Sequence, residues 1–391
     1  MLSSIFIPKS LTTINQSAFY NCPIIHFSID PANQIYKFDN LSMFTGSDNS
    51  TLFKVVTNYS GIYTVPNFVT KISGYCFNNV NISSINFHDR IESIGEYAFS
   101  YCQYLISITI PKMITAIDNN LFIRCQLLEN VTIPTSVIEI RDYAFYACKK
   151  LTTIAVPNNV KYIGRYAFYE CSSLLYFIMP ENLTSFGVSA FGNCKSLISV
   201  TFSDKVTNVT KYGFLSCGKI NSISFPSKVT RIEESSFSSC SSLSRIIFPK
   251  DLAYIERYAF GLCVSLKSIT FLSNNNTIMI EIGAFSTLTN PVNIHIPGNF
   301  YITTPIRNAF PARSHLYITN ETNLSESCKN FFGEKSVIVH FVGTNNITNE
   351  TTIDVINYIA IEIRYRITRG KNIFRKYKLL NIAIFLCVIK H

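Results

Sequence analysis

Phe99, Phe122, Phe145, Phe168, Phe191, Phe214, Phe237 and Phe260 stand 23 residues apart without a slip. Cys102, Cys125, Cys148, Cys171, Cys194, Cys217, Cys240 and Cys263 follow each of them by three. A repeat of this length is one supersecondary unit that cannot bury its apolar face alone, so the units have to stack. A stacked array grows along one axis, which lets a chain of 391 residues exceed the size of an ordinary single core. The composition supports burial on that scale: 47% of residues are hydrophobic and only 15% are charged.

One unit reads Leu128-x-x-Val131-x-Ile133-Pro134-x-x-Val137-x-x-Ile140-x-x-x-Ala144-Phe145-x-x-Cys148, and the next runs from Leu151 to Cys171 in the same pattern. Alternation at unit positions 4 and 6 predicts short strands at Val131–Ile133 and Ile154–Val156. Proline then ends the strand, because it cannot donate to a ladder; His88 and Ser203 take its place in two coils. The wider spacing that follows (Val137, Ile140, Ala144, Phe145) predicts a short helical or 3-10 segment on the back of the coil. The expected fold is therefore an α/β repeat solenoid, leucine-rich-repeat-like, with one short parallel strand plus a short helical or 3-10 segment per 23-residue coil. Phe19 and Phe310 are 291 residues apart, which corresponds to about 13 coils. At ~5 Å per coil the sheet runs on the order of 60 Å.

The motif Ile-Pro-x-x-Val-x-x-Ile-Gly-x-x-Ala-Phe-x-x-Cys-x-x-Leu resembles that of the BspA-like leucine-rich repeat surface protein family, over roughly Ile5 to Phe310. The stretch from Ile29 to Val65, with Asp30-Pro-Ala-Asn33, Tyr36 and Ser60-Gly-Ile-Tyr-Thr-Val-Pro66, resembles a longer spacer coil of such arrays. The resemblance implies a horseshoe-like solenoid at a cell surface that binds other macromolecules, and it brings no catalytic residues and no cofactor. On this reading residues 1–317 are the solenoid, with an irregular spacer coil at 28–64, regular coils at about 82–271 and irregular coils at 272–317. Residues 318–363 are a C-terminal cap or loop with a strand, and 364–391 form a basic, then apolar tail.

The termini carry separate expectations. The sequence starts inside a coil, with Ile5-Phe-Ile7 in the strand position. An uncapped apolar coil costs solubility and exposes an edge strand, so the expectation is either end-to-end or edge association there, or a fragment of a longer chain. The N-terminal segment as written has no long apolar run and no small-residue cleavage site, unlike a secretory signal peptide. At the other end, Leu379–Ile389 is 11 residues long, well short of the ~20 that span a bilayer. Basic residues beside an apolar run bind anionic surfaces, so Arg375, Lys376 and Lys378 are candidate contacts for a peripheral membrane association.

Net charge is +10, but eight Lys or Arg without an acid lie between Arg364 and His391. Subtracting them leaves +2 for residues 1–363, and no basic stripe follows the body, so a nucleic-acid groove is excluded. Catalytic constellations are absent: the six His are scattered, and no Gly-rich phosphate loop or G-x-S-x-G occurs. The cysteine column lacks the short Cys/His spacings of a metal site. It reads best as inert thiols filling a tight buried corner, although neighbouring coils bring Cys α-carbons within the ~4.4–6.8 Å that a disulfide tolerates. The phenylalanine column reads as core, and the tyrosine that recurs two before it (Tyr97, Tyr143, Tyr166, Tyr212, Tyr258) as a residue near the surface. The residues three before it, from Glu96 to Arg257, read as solvated charges bridging coils, each pair worth little. Sequons such as those at Asn58, Asn81, Asn130, Asn182 and Asn208 are weak evidence for secretion.

The better functional candidates are the outward strand residues at unit positions 3 and 5. They form a flat face of small hydroxyls, interrupted by Tyr176 with Ile178 and by Arg245 with Ile247. Asn130, Thr153, Tyr176, Ile178, Ser199, Thr201, Ser222, Arg245 and Ile247 are the candidate ligand-binding face, with the two larger pairs as anchors. The function this implies is a non-catalytic surface adhesin or antigen that binds host or matrix proteins or glycans. An intracellular leucine-rich repeat scaffold for protein–protein interaction is the alternative.

Overall fold

The structure, a computed structural model, describes residues 3–272, 277–297, 301–303, 310, 313–319 and 338–342. The chain divides into two compact units, residues 1–341 and 342–391, and the first is the one described below. The tail with Arg375, Lys376 and Lys378, and most of the expected cap at 318–363, lie outside the described residues.

Most regular coils contribute two short strands, each hydrogen-bonded to the equivalent strand of a neighbouring coil. The front ladder is interrupted between Asn81–Asn86 and Ser107–Thr109 and between Ser199–Thr201 and Ser222–Ser224, and the back ladder between Ser93–Ile94 and Ala116–Ile117 and between Ser185–Phe186 and Asn208–Val209. The front strands are three or four residues long, among them Ser107–Thr109, Asn130–Thr132, Tyr176–Ile178, Ser199–Thr201, Ser222–Ser224 and Arg245–Phe248. Their parallel register shifts by one repeat, as in Ser107↔Asn130 and Tyr176↔Ser199. A turn at the proline leads to a two-residue back strand such as Glu139–Ile140 or Tyr162–Ile163, again parallel to its neighbours. The central residue of the front strand and the second residue of the back strand point inward: Ile108, Phe177, Ile140 and Ile163 are buried. The alternation thus places the strands as expected, with one exception. No strand forms at Ile154–Val156, and no backbone hydrogen bond joins Thr153–Val156 to the coil before, so the front ladder is open there. The inward residues Val131, Ile154 and Val156 are correspondingly only half-buried.

The helical segment per coil is not found. Among the described residues the helical structure is a single 3-10 turn at Gln16–Phe19, and the Ala-Phe-x-x-Cys stretches are turns. The reason lies at two backbone positions. The residues two before and two after each phenylalanine are left-handed, as in Tyr143 (φ 57°), Ala147 (φ 56°), Tyr166 (φ 54°) and Glu170 (φ 58°). Each such residue costs about 1–2 kcal/mol relative to the right-handed form. In return, alternate N–H groups turn away from their own coil and donate to the next. Tyr143 N donates to Arg165 O (2.9 Å), Phe145 N to Ala167 O (2.8 Å) and Ala147 N to Tyr169 O (2.8 Å). An α-helix would need those donors for its own i−4 carbonyls.

The result is three continuous amide columns along the back. The peptide between Ala144 and Phe145 accepts from Phe122 N (2.9 Å) and donates to Ala167 O, and its equivalents repeat this from Phe77 to Phe260. All these peptides point the same way, with carbonyls toward the N-terminal end of the array. Inside the columns, the phenylalanine rings from Phe77 to Phe285 stack 5.1–5.6 Å apart, within 17° of parallel. The cysteine column has a role in the same corner. Cys148 Sγ donates to Phe122 O of the preceding coil (3.2 Å), a carbonyl that also accepts from Cys125 N (3.1 Å). The same bond recurs from Cys102 to Cys263. All ten described cysteines are free thiols, and burial pushes Cys102 and Cys263 up to about 12.

The spacer coil departs from this plan. Strands β1 (Ser4–Ile7) and β2 (His26–Ile29) pair in parallel as a first coil. Then β3 (Tyr36–Phe38), β4 (Ser42–Thr45) and β5 (Thr51–Val55) form an antiparallel meander. Its last strand joins the back ladder through Thr51↔Lys71 and Leu52↔Ile72. The meander separates two apolar cores. Phe27, Met43 and Phe53 belong to a small N-terminal one, and Phe44, Leu52 and Val55 to the main one that continues to Ile318.

Candidate functional site

The front face presents unit positions 3 and 5, because side chains on a strand alternate between its two sides. Tyr176 and Ile178 are 50% and 58% exposed on either side of Phe177, which is 1% exposed. The next strand brings Ser199 beside Tyr176 and Thr201 beside Ile178. Ser222 is exposed, Ser199 and Thr201 half-buried, and Asn130 and Thr153 exposed. Arg245 is half-buried and lies in register with Ser222 and Ser268. Tyr176 and Arg245 are three coils apart, roughly 14 Å at the strand spacing, with the Ser199 and Ser222 coils between them. Ile247 departs from the expected outward position: it is 8% exposed, and Thr270 beside it is 7% exposed. Of the second candidate pair only Arg245 remains partly exposed on this face.

Two further apolar residues of the same rows lie ahead of Ser107. Phe6 on β1 is 60% exposed, and Ile62, on the strand Ser60–Thr64, is 59% exposed. The signal was available in the sequence, since Phe6 and Ile62 occupy positions 5 and 3 of their coils when the count starts from Pro8 and Pro66. Tyr104, Ile106 and Leu127 are also exposed at the edge of the front face.

The opposite ridge carries the tyrosines. Tyr143 stacks on Tyr166 (4.9 Å) and Tyr146 on Tyr169 (5.3 Å), all half-buried. The column two before phenylalanine lies near the surface as expected; the second column, one after it, is added by the structure. Charges bridge coils beside this ridge. Lys211 and Arg257 both pair with Glu234 (2.7 and 3.2 Å), which holds the Glu234 carboxyl below its usual range. Arg231 pairs with Glu256 (2.5 Å) while its guanidinium lies over Tyr254. These pairs are partly exposed and of small individual worth. His88 is a half-buried turn residue whose ring lies 3.0 Å from Pro66 O. Among the described residues there is no group of three or more His, Cys, Asp or Glu that could hold a metal ion. No helix among them is long and apolar enough to cross a membrane.

The family of BspA type leucine-rich repeat regions matches this sequence in six copies, over residues 1–64, 70–195 and 163–280. The chain belongs to the BspA-type leucine-rich repeat family. Among solved structures, a leucine-rich repeat protein from Bacteroides ovatus is similar with a TM-score of 0.58 at 22% identity, covering 87% of this chain and 84% of its own. One from Eubacterium ventriosum is similar with a TM-score of 0.50 at 20% identity, covering 74% and 77%. At these identities the two structures support the fold alone. No curated protein matches the chain. Family membership and fold together fit a non-catalytic repeat protein. As a BspA-type array, the chain puts its repeated residues into scaffold and leaves the variable strand positions open.

Proposed function

We propose that the chain is an interaction protein of the adhesin or surface-antigen kind, binding a protein or glycan through the front face of its solenoid. The observation that carries this reading is the exposure of Tyr176 and Ile178 astride a buried Phe177. A large aromatic and a branched aliphatic side chain on rigid, parallel-laddered backbone lose little entropy on binding, which is what an anchor requires. The hydroxyls of Ser199, Thr201 and Ser222 beside them supply hydrogen bonds, and Arg245 adds one charge. Asn130 and Thr153 extend the face across the open part of the ladder. Placement at a cell surface rests on the family resemblance. The test is joint replacement of Tyr176 and Arg245 by Ala, read as attachment to cells or matrix. Attachment is expected to fall at least tenfold, the loss of about 1.4 kcal/mol or more. Unchanged attachment by a folded variant removes the two anchors.

The free, buried thiols favour a second reading, an intracellular scaffold of the same fold. A count of reactive thiols in the unfolded, unreduced protein separates the two in part. A count near the twelve cysteines of the sequence favours a reducing compartment.

A further inference from the structure

Lys54 is a lysine in the wall between two apolar cores. It is 2% exposed on β5, next to Phe53 of the small core and Val55 of the main one. Its ammonium donates to Tyr75 O and Asn78 O, both at 3.1 Å. The thiols of Cys76, Cys102 and Cys22 are the titratable groups that face it, and no carboxylate is among them.

The amide columns explain why a cation lies there. Their carbonyls point toward the N-terminal end, so the coil of Phe77 presents carbonyls with no preceding coil of the array to donate to them. The residue before phenylalanine, Cys76, accepts from Val55 N (3.0 Å), and the residue after it, Asn78, accepts from Lys54 Nζ. Two consecutive residues of β5 therefore close two of the three columns. A file of aligned peptides carries partial negative charge at its carbonyl end, which favours a cation there as at a helix C-terminus.

The first coil, by contrast, is outside the columns. No backbone hydrogen bond joins the turn at 15–22 to the turn at 73–79. Side chains make the connection: Asn21 N donates to Asn78 Oδ1 (3.0 Å), Asn79 Nδ2 to Asn21 Oδ1 (2.7 Å) and Gly74 N to Gln16 Oε1 (3.1 Å). Phe19 packs edge-on against Phe27 and Phe53 and is not part of the ring stack, which begins at Phe77.

We infer that Lys54 and Val55 form an internal cap for the repeat array, so that the cooperative array begins at the spacer meander and the first coil (Ser4–Ile29) is an outboard unit able to undock while the array stays folded. Native-state hydrogen exchange on the full chain tests this. In the unmodified protein, amides of Ser4–Ile29 are expected to exchange through an opening that leaves amides between Phe99 and Cys263 protected. Lys54→Met is expected to speed exchange of the first coil and of Val55 by about tenfold or more, leaving Phe99–Cys263 within about twofold. Lys54→Arg, which keeps the cation, is expected to lie between. Exchange of the first coil and the array as one unit overturns the inference, and so does a Lys54→Met chain that fails to fold. A second measurement needs no variant. Acetylation of Lys54 in the unmodified protein is expected to proceed at the opening rate of the first coil; labelling only at the rate of global unfolding overturns the inference.

Discussion

The array from Phe77 to Phe285 and the segment ahead of it solve the same problem by different means. Both bury apolar rings and both must satisfy buried amides. The array does so with backbone: three amide columns, a ring stack and a thiol–carbonyl bond, repeated coil by coil. The segment ahead does it with single side chains used once. Asn33 is fully buried, donates to Pro8 O (2.8 Å) and Leu11 O (3.2 Å), and accepts from Ile35 N and Tyr36 N (2.9 Å each). Lys54 closes the carbonyls of the Phe77 turn. A periodic solution is shared among many residues, so its loss is expected to be cooperative. A singular one is concentrated, so its loss is expected to stay local.

Alkaline titration should separate the two regions most strongly. Burial holds six of the array thiols neutral, Cys102 and Cys263 with values of about 12 and Cys125, Cys148, Cys194 and Cys240 also well above the usual value. The unfolded chain ionises them near pH 9, so above that pH it holds fewer protons than the folded chain. Stability is therefore full below about pH 9 and falls as pH rises beyond it, by ~1.4 kcal/mol per pH unit for each thiol. Lys54 acts with the opposite sign. Burial lowers it to about 8 from 10.5, so the unfolded chain takes up its proton first as pH drops, and its contribution rises from pH 8 toward 10.5. One lysine is outweighed by many thiols. Equilibrium unfolding across pH 7–11 should show a steep loss above pH 9; a flat profile would mean that the thiols are not confined as described.

Ring deletions give the next largest effect. Phe168→Ala removes a fully buried ring from the middle of the stack, and Phe27→Ala a ring 1% exposed in the small core. Each costs about 3–5 kcal/mol locally. Phe168→Ala is expected to lower the unfolding midpoint of the whole array. Phe27→Ala is expected to lose protection only in the first coil, as read by hydrogen exchange. Equal loss of midpoint in the two variants would break the distinction between the regions.

The difference between the regions also explains what the sequence made legible. A contact made at every repeat leaves a column in the sequence, so the strand positions other than Ile154–Val156, the core role of the phenylalanines and the buried, structural role of the cysteines could be read from Phe99 to Cys263. Spacing did not reveal the turns. Residues such as Tyr143 and Ala147 are in the left-handed region without being Gly or Asn, so the usual marker of that conformation is missing, and a three-to-four spacing suggested a helix. Lys54 could not be read at all, because a lysine between Phe53 and Val55 in an irregular spacer coil belongs to no repeated column and reads as solvent-facing. Ile247 misled for a related reason: its position in the unit is outward, yet it is buried beside Thr270 on the neighbouring strand. The outward rows at Asn130, Tyr176 and Ser222 followed directly from alternation.

A smaller effect is expected at the thiol corner. Cys148→Ala removes the bond from Sγ to Phe122 O and leaves that carbonyl with Cys125 N alone. The cost is the hydrogen bond plus a small void, about 1–2 kcal/mol, measured as a shift in denaturant midpoint. No change would mean that the column is there for volume alone, and the contrast between shared and singular contacts would then rest on the amides and rings.

The smallest effect on stability is expected on the front face, and its smallness is the point. Tyr176 and Ile178 flank Phe177 on a single strand, so the three share backbone, ladder and neighbours and differ only in which side they point to. Phe177→Ala should cost about 3–5 kcal/mol. Joint replacement of Tyr176 and Ile178 by Ala should change stability by no more than ~0.5 kcal/mol, the range of surface substitutions. If the double variant proves as destabilising as Phe177→Ala, those side chains are packing residues and the binding face loses its centre. If stability holds while attachment falls, two large apolar side chains are kept exposed without structural need, which is the signature expected of a contact surface.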